Sequence, residues 1–522
     1  MSKNIFFILL LTFFAWWVFL RSYDLWWASF WMDEWYSSIT SYYAVSNNFA
    51  PILETWSYTF SRYFFTFFQW LSFDIFGISD LTARLPSLIF GVLIMVVSVL
   101  FAYELLQKHK YRLIWTIWIS FLSFFSTWQI IWSRQARFYE LLSLLLLLWI
   151  YLLYKFETSK KIIYFVLFSL TAWIWSIYHP FLFSLFAVGW IYIAYYFVIE
   201  LLSKKDFKTT LFKNIKYAIV LLGWYLLYYL VDLWFKYIET WWVQAHSWIP
   251  GTYDLPQHFI ESYINFYTQI LVSELGILYL AFILWFFYLV YIKKYAYLII
   301  FAWIFLINFY VITQKWVMVH SRYMYHLFSI ITIFWGYLLF LFLAYFYDKW
   351  ISTKNIFYKL LLRGVWWATL FMIIFSFNMN FLPKTTYYMD HTSPQPDFES
   401  AYEFVNENYP EKRIISWMPH ICVWYNLDNQ DKCQYALRVN ITWRQSSEER
   451  ILDKQEHNYT ATPYIDDLSK INNQIFVLEN LSLTMSINKD IIDYVINNCD
   501  KIFEDFWNWQ RYNYIWAWKC SN

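Results

Sequence analysis

The chain has 522 residues, of which 60% are hydrophobic, 26% aromatic and only 15% charged, with a formal net charge of +2. A soluble domain of this length carries much more charge, so the composition excludes a soluble globular enzyme and defines a polytopic membrane protein. The nearly neutral balance offers no basic footprint for nucleic acid.

Apolar stretches of about 20 residues, enough to cross ~30 Å of hydrocarbon as a helix, recur along the chain. They predict about eleven transmembrane helices, near residues 4–20, 85–106, 113–131, 138–154, 162–178, 181–202, 217–235, 269–291, 296–313, 327–347 and 361–382. The first follows a lone Lys3 without a small-residue cleavage site, which predicts a retained signal anchor. A long polar interruption, residues 21–82, opens with the adjacent acids Asp33 and Glu34. Its aromatic stretch over residues 58–76 is too interrupted for a span and predicts interfacial helices. Pro86 suits the first turn of the following helix, and Arg84 anchors that helix.

Lys and Arg accumulate in short cytoplasmic loops. One alternate set of loops holds Lys108, Lys110 and Arg112, then Lys155, Lys160 and Lys161, then Lys204 to Lys216, then Lys293 and Lys294, then Lys349, Lys354 and Lys359. These define the cytoplasmic side, so the protein is expected in the cell membrane with its N-terminus in the cytoplasm. The loop with Asp33, the turn from Arg134 to Arg137, the turn at His179, residues 236–268 and the turn from Lys315 to His326 then face outward.

The membrane region is expected over residues 1–383, followed by a small extracytoplasmic α/β domain over residues 384–522. Within it, helices are expected at residues 397–408 and 490–498, and strands at 413–416, 474–478 and 512–518. Cys422, Cys433, Cys499 and Cys520 all lie in this domain. An even count outside the cytoplasm suggests disulfides. Of three pairings, proximity favours Cys422 with Cys433 and Cys499 with Cys520.

The chain has 35 Trp and 8 Gly, and residues 384–522 contain no glycine. Ordinary usage is about 7% glycine. The imbalance suggests that many of these tryptophans are glycine in the living protein, encoded by a reassigned UGA codon. Peptide masses of the native protein would decide this, and tryptophan masses throughout would end the idea.

The candidate chemistry converges on the outward side. Asp33 and Glu34 supply carboxylates, Arg134, Arg137, Lys315 and Arg322 supply cations, and His179 and His320 supply titratable rings. Such a set suits deprotonating a hydroxyl while stabilising a departing phosphate. Arg134 and Arg137 share a face if their turn is helical. Two adjacent acids could hold a divalent cation, but too few further oxygen ligands are evident to define a metal site, and no cofactor is established.

At these residues the chain resembles the GT-C class of membrane glycosyltransferases, the group of protein O-mannosyltransferases, aminoarabinose transferases and RgtA/B/C/D-like enzymes. The resemblance rests on Asp33-Glu34, on Phe76-Gly77-Ile78-Ser79 leading to Arg84-Leu85-Pro86-Ser87 and Gly91, on Ser133-Arg134-Gln135-Ala136-Arg137-Phe138-Tyr139, and on Tyr178-His179. Ser321-Arg322-Tyr323 extends it more weakly. The chain departs from the group at Tyr58-Thr59-Phe60-Ser61-Arg62-Tyr63, where many members carry His-Pro-Pro. A second acidic site residue therefore stays open among Glu54, Asp74 and Asp80.

The resemblance implies a polyprenyl-phosphate sugar donor and inversion at the anomeric carbon. Asp33 would be the general base and Glu34 would orient the acceptor or a cation. Arg137, Arg134, Lys315 and Arg322 would bind the donor phosphate, with His179 and Tyr323 contacting donor or acceptor. Expected partners are the lipid-linked donor, a glycan, lipid or protein acceptor and membrane lipids, with no nucleic acid. A transporter or flippase of lipid-linked precursors is the alternative, and a membrane scaffold is a third reading. Neither rival requires a base at Asp33.

Overall fold

The computed structural model describes residues 3–25, 34, 37–39, 41–42, 63–107, 109–178, 184–203, 206–242, 287–291, 325–376, 378–384, 397–416, 419–429, 432–436, 464–465, 473–479, 489–506 and 514–520. In chain order the helical part contains α1 (Lys3–Ser22), α2 (Tyr63–Phe76), α3 (Asp80–Leu105), α4 (Arg112–Phe125), α5 (Thr127–Ser133), α6 (Tyr139–Ser159), α7 (Ile162–Tyr178), α8 (Ser184–Leu202), α9 (Phe207–Trp242), α10 (Tyr325–Ser352) and α11 (Ile356–Ser376). Four stretches, Asn4–Ser22, Asp80–Leu105, Tyr139–Ser159 and Tyr325–Ser352, meet the length and apolarity needed to cross a membrane. The spans expected at 269–291 and 296–313 lie outside the described residues, apart from a helical turn at 287–291.

Helix α6 is the axis of packing, lying against α3, α7 and α10. Its face from Leu141 to Leu153 is buried, and Phe101, Phe328 and Phe334 from its neighbours join the same core. The leucine-rich middle of this helix lets it pack against several apolar neighbours at once.

Two expectations are corrected. The span expected at 113–131 is two helices, broken at Ser126. The backbone groups released there are taken up by residues following α11: Thr127 N donates to Asn378 O at 3.0 Å and Asn380 N to Phe125 O at 2.8 Å. A break in an apolar helix persists only when such partners are supplied. Second, α3 begins at Asp80, with Ser79 and Thr82 forming a reciprocal capping box, so Pro86 lies inside the helix. Its ring removes the bond that would reach the Thr82 carbonyl, and Ser72 Oγ donates to that oxygen at 2.7 Å instead. Gly77, at φ 81°, provides the left-handed turn between α2 and α3.

Residues 397–520 build a six-stranded sheet, from β1 (Ile414–Ser416), β2 (Cys433–Ala436), β3 (Tyr464–Ile465), β4 (Ile475–Glu479), β5 (Asp500–Phe506) and β6 (Tyr514–Lys519), in the order β3-β2-β1-β4-β6-β5. The first four strands run parallel and β6 pairs antiparallel with both β4 and β5. Helices α12 (Phe398–Asn408), α13 (Pro419–Trp424) and α14 (Lys489–Asn498) accompany the sheet. Cys422 is bonded to Cys433 and Cys499 to Cys520, with Cα separations of 5.8 and 4.3 Å. The apolar core of this sheet continues into Ile39, Phe73, Ala83 and Ala136, so it rests on the end of the bundle where α3 begins.

The tryptophans give a divided answer on recoding. The indole N–H groups of Trp17, Trp128, Trp149 and Trp173 are buried without a hydrogen-bond partner, an unusual state for buried indole. Among the described residues, however, no tryptophan has the positive φ that would require glycine. Trp417, Trp507 and Trp509 lie outside the described residues.

Candidate functional site

The end of the bundle beneath the sheet is organised around Glu34. Its Oε1 accepts from Arg84 Nε at 3.1 Å and from Ala136 N at 2.6 Å, and its Oε2 accepts from Arg84 Nη2 at 3.3 Å. Arg84 completes the connection by donating from Nη1 to Leu25 O at 2.6 Å. Both side chains of this ion pair are 3% exposed. One carboxylate therefore ties together the loop after α1, the first turn of α3 and the turn between α5 and α6.

That turn, residues 134–138, is not helical, so Arg134 and Arg137 do not share a helix face. Arg134 Nη1 donates to the carbonyls of Leu20, Arg21 and Tyr23 at 3.1, 3.1 and 2.6 Å. These are carbonyls from the end of α1, where a cation is favoured by the helix dipole and by unsatisfied acceptors. Arg137 points elsewhere: its Nη1 donates to Ser37 Oγ at 3.0 Å, and its guanidinium lies 5.4 Å from the Phe138 ring centre and 5.8 Å from that of Tyr139. Its carbonyl accepts from Ser87 Oγ at 3.0 Å. Close approach of this turn to α3 depends on Gly91, where a Cβ would come within 2.9 Å of Ser133 Cβ.

The structure thus brings together Glu34, Arg134 and Arg137 from the candidates named by sequence. Asp33, His179, Lys315, Arg322 and Tyr323 lie outside the described residues, as do His320 and Glu54. Of the remaining acids, Asp74 is exposed, whereas Asp80 is half-buried and accepts from Trp424 Nε1 at 2.9 Å. Across the junction from Asp80 stands Glu399 of α12, whose carboxyl is pushed up to about 7 by burial and then by the negative charges of Asp80, Glu403 and Asp397. Burial, followed by the same acidic surroundings, also raises the Tyr425 hydroxyl.

Sequence reading missed a second buried carboxylate. Glu140, in the first turn of α6, is fully buried and accepts from Tyr325 Oη at 2.7 Å. An ionisable residue at the head of an apolar run was the available signal, because such residues are costly in hydrocarbon. Among the described residues, no group of three or more His, Cys, Asp or Glu side chains could hold a metal ion.

Comparison with known proteins places this architecture in one class: the chain has the fold of the GT-C membrane glycosyltransferases. Two particular proteins carry the likeness. ArnT from Cupriavidus metallidurans, in the apo state, superposes with a TM-score of 0.54 at 10% identity, covering 99% of this chain and 97% of that one. The same enzyme bound to undecaprenyl phosphate gives 0.53 at 11% identity, covering 99% and 98%. The Archaeoglobus fulgidus oligosaccharyltransferase gives 0.53 at 12% identity, covering 92% of this chain and 70% of that chain. No family model matches the sequence, and no curated protein matches it.

Proposed function

We propose that this protein is an integral membrane glycosyltransferase that moves a sugar from a polyprenyl-phosphate donor to an acceptor outside the cytoplasm, with inversion. The observation that carries this reading is the Glu34 knot: Glu34, next to Asp33 in the sequence, binds Arg84 and Ala136 N in the turn that also bears Arg137. In this reading Asp33 is the base and Arg137 the phosphate-binding cation. The shared fold with ArnT, solved bound to undecaprenyl phosphate, supports a lipid-phosphate donor.

In this mechanism Asp33, an acid that ordinarily titrates near about 4, takes the proton from an acceptor hydroxyl or amine. The acceptor atom bonds to the anomeric carbon as the bond from that carbon to the phosphate oxygen breaks. The Arg137 guanidinium balances the negative charge that grows on the leaving phosphate. Lys315 and Arg322 are proposed to assist it, with His179 and Tyr323 contacting donor or acceptor. Glu34 acts as a positioning residue, because its oxygens are engaged by Arg84 and Ala136. Arg134 acts by fixing its turn to the end of α1. The acceptor is a glycan, lipid or protein. In this reading the chain crosses the membrane about eleven times with its N-terminus in the cytoplasm, and the sheet of residues 397–520 faces the acceptor side.

The test is release of free polyprenyl phosphate from a panel of lipid-linked sugars by purified protein with membrane extract as acceptor. Wild type should release it and Asp33→Asn should lose roughly 100-fold, the scale of a general base. Equal release by the variant would move the base elsewhere. No release from any donor would favour the transport reading.

A further inference from the structure

Below the Glu34 knot, a line of polar side chains runs down the buried interface of three helices. Its first rung is Tyr325 Oη donating to Glu140 Oε1 at 2.7 Å, between α10 and α6. One turn deeper, Ser329 Oγ lies 3.1 Å from Ser143 Oγ and accepts from Gln129 Nε2 at 2.8 Å, which adds α5. Glu140, Ser143, Tyr325, Ser329 and Gln129 are all buried. The spacing is helical on both sides: positions 140 and 143 face positions 325 and 329. The Arg21 guanidinium, itself buried, acts electrostatically on both members of the first rung.

A carboxylate and a phenol are expensive contents for a helix interface that leucine would fill in a bilayer. The Glu34 knot already holds the Arg137 turn from one side, through Ala136 N, and Ser87 holds its carbonyl from α3. Glu140 stands three residues after Arg137, in the first turn of the helix that the turn enters, and Tyr325 is the first described residue of α10. The rung therefore joins the start of α6 to α10 close to the Arg137 turn.

We infer that the buried Glu140–Tyr325 hydrogen bond is a positioning strut, which locks α10 at Tyr325 to the start of α6 and thereby holds Arg137 for a polyprenyl phosphate. The inference rests on the proposed donor class. Neither residue touches the phosphate; both act through Arg137 and the helix start.

Two measurements on purified full-length protein test it, using undecaprenyl phosphate as the probe. Hydrogen exchange reports these helix segments with no ligand present. Tyr325→Phe, which keeps the ring, should raise exchange roughly tenfold in peptides spanning the first turn of α6 and the part of α10 around Tyr325 while leaving α1 and the sheet unchanged. The same variant should bind undecaprenyl phosphate about tenfold more weakly, the loss expected for one buried hydrogen bond. Glu140→Gln, which keeps an acceptor oxygen, should bind within about threefold of wild type. Unchanged exchange in Tyr325→Phe overturns the strut, and so does altered exchange with unaltered binding. A Gln variant as weak as the Phe variant also overturns it, because the hydrogen bond would then not be what matters. If wild type binds no undecaprenyl phosphate, the donor reading fails and takes the strut's role with it. That failure is visible before any variant is made.

Discussion

The two ends of the helical bundle use the same residue types under opposite physical conditions. At the end where α3 begins, Glu34 and Arg84 pair with both side chains 3% exposed, and each makes a further bond to backbone. At the other end, Lys110 meets Asp348 at 2.7 Å with the two side chains 64% and 50% exposed. Lys155 with Glu104, at 25% and 27%, lies between these extremes. A buried pair has lost its hydration and survives only when every lone pair and proton finds a partner. An exposed pair exchanges solvent for a contact of nearly equal value. The comparison teaches that charge at the lysine-rich end stays in contact with solvent, whereas charge at the other end holds a three-dimensional arrangement.

The largest effect should come from breaking the buried pair. Arg84→Met removes both Arg84 bonds to the buried Glu34 carboxyl and should cost about 3–5 kcal/mol of stability. Thermal unfolding in detergent measures this, and a loss under about 1 kcal/mol would remove the distinction between the two ends. A double variant, Arg84→Met with Glu34→Leu, should recover much of the loss while remaining inactive, since the knot is absent.

A smaller effect should appear at the junction with the sheet. Glu399 titrates near 7 in the folded protein, against 4.5 as the ordinary value. A raised folded value means the folded state binds the proton more tightly, so the stability from this group is present below about pH 4.5 and is lost as pH rises through 7. The unfolding temperature should therefore fall between those values. Glu399→Gln should flatten that fall, and an unaltered slope in the variant would assign it to another group.

The smallest effect belongs to the exposed pair. Lys110→Met should leave both the unfolding temperature and the transfer activity unchanged. A measurable loss of stability there would mean that the lysine-rich end is also built from its ion pairs.

Much of the helical layout was legible because an apolar run long enough to span hydrocarbon is a property of the chain alone. The helices at 139–159, 162–178 and 325–352 follow from leucine, isoleucine and phenylalanine content without knowledge of any neighbour. Strands β1, β4 and β6 were similarly legible from short β-rich runs, while β2, β3 and β5 were not. β3 is two residues long, and β5 carries an irregularity between Lys501 and Phe503 that disrupts its alternation. The break at Ser126 was hidden because what stabilises it, the backbone at 378–380, lies about 250 residues away and leaves no local mark.

For the site, the sequence identified Glu34, Arg134 and Arg137 as chemically suited groups on one side of a membrane. It also suggested the two disulfides, because close cysteines close short loops. It did not distinguish their tasks. That Arg134 caps α1, that Arg137 reaches Ser37, and that Glu34 is held by Arg84 are decided by where guanidinium groups find acceptors across 50 to more than 100 residues of chain. Composition and hydropathy determine which segments leave water, since transfer free energy sums over a segment. Partner choice among buried charges depends on distance and on the loss of hydration, and only the folded arrangement of helices sets both.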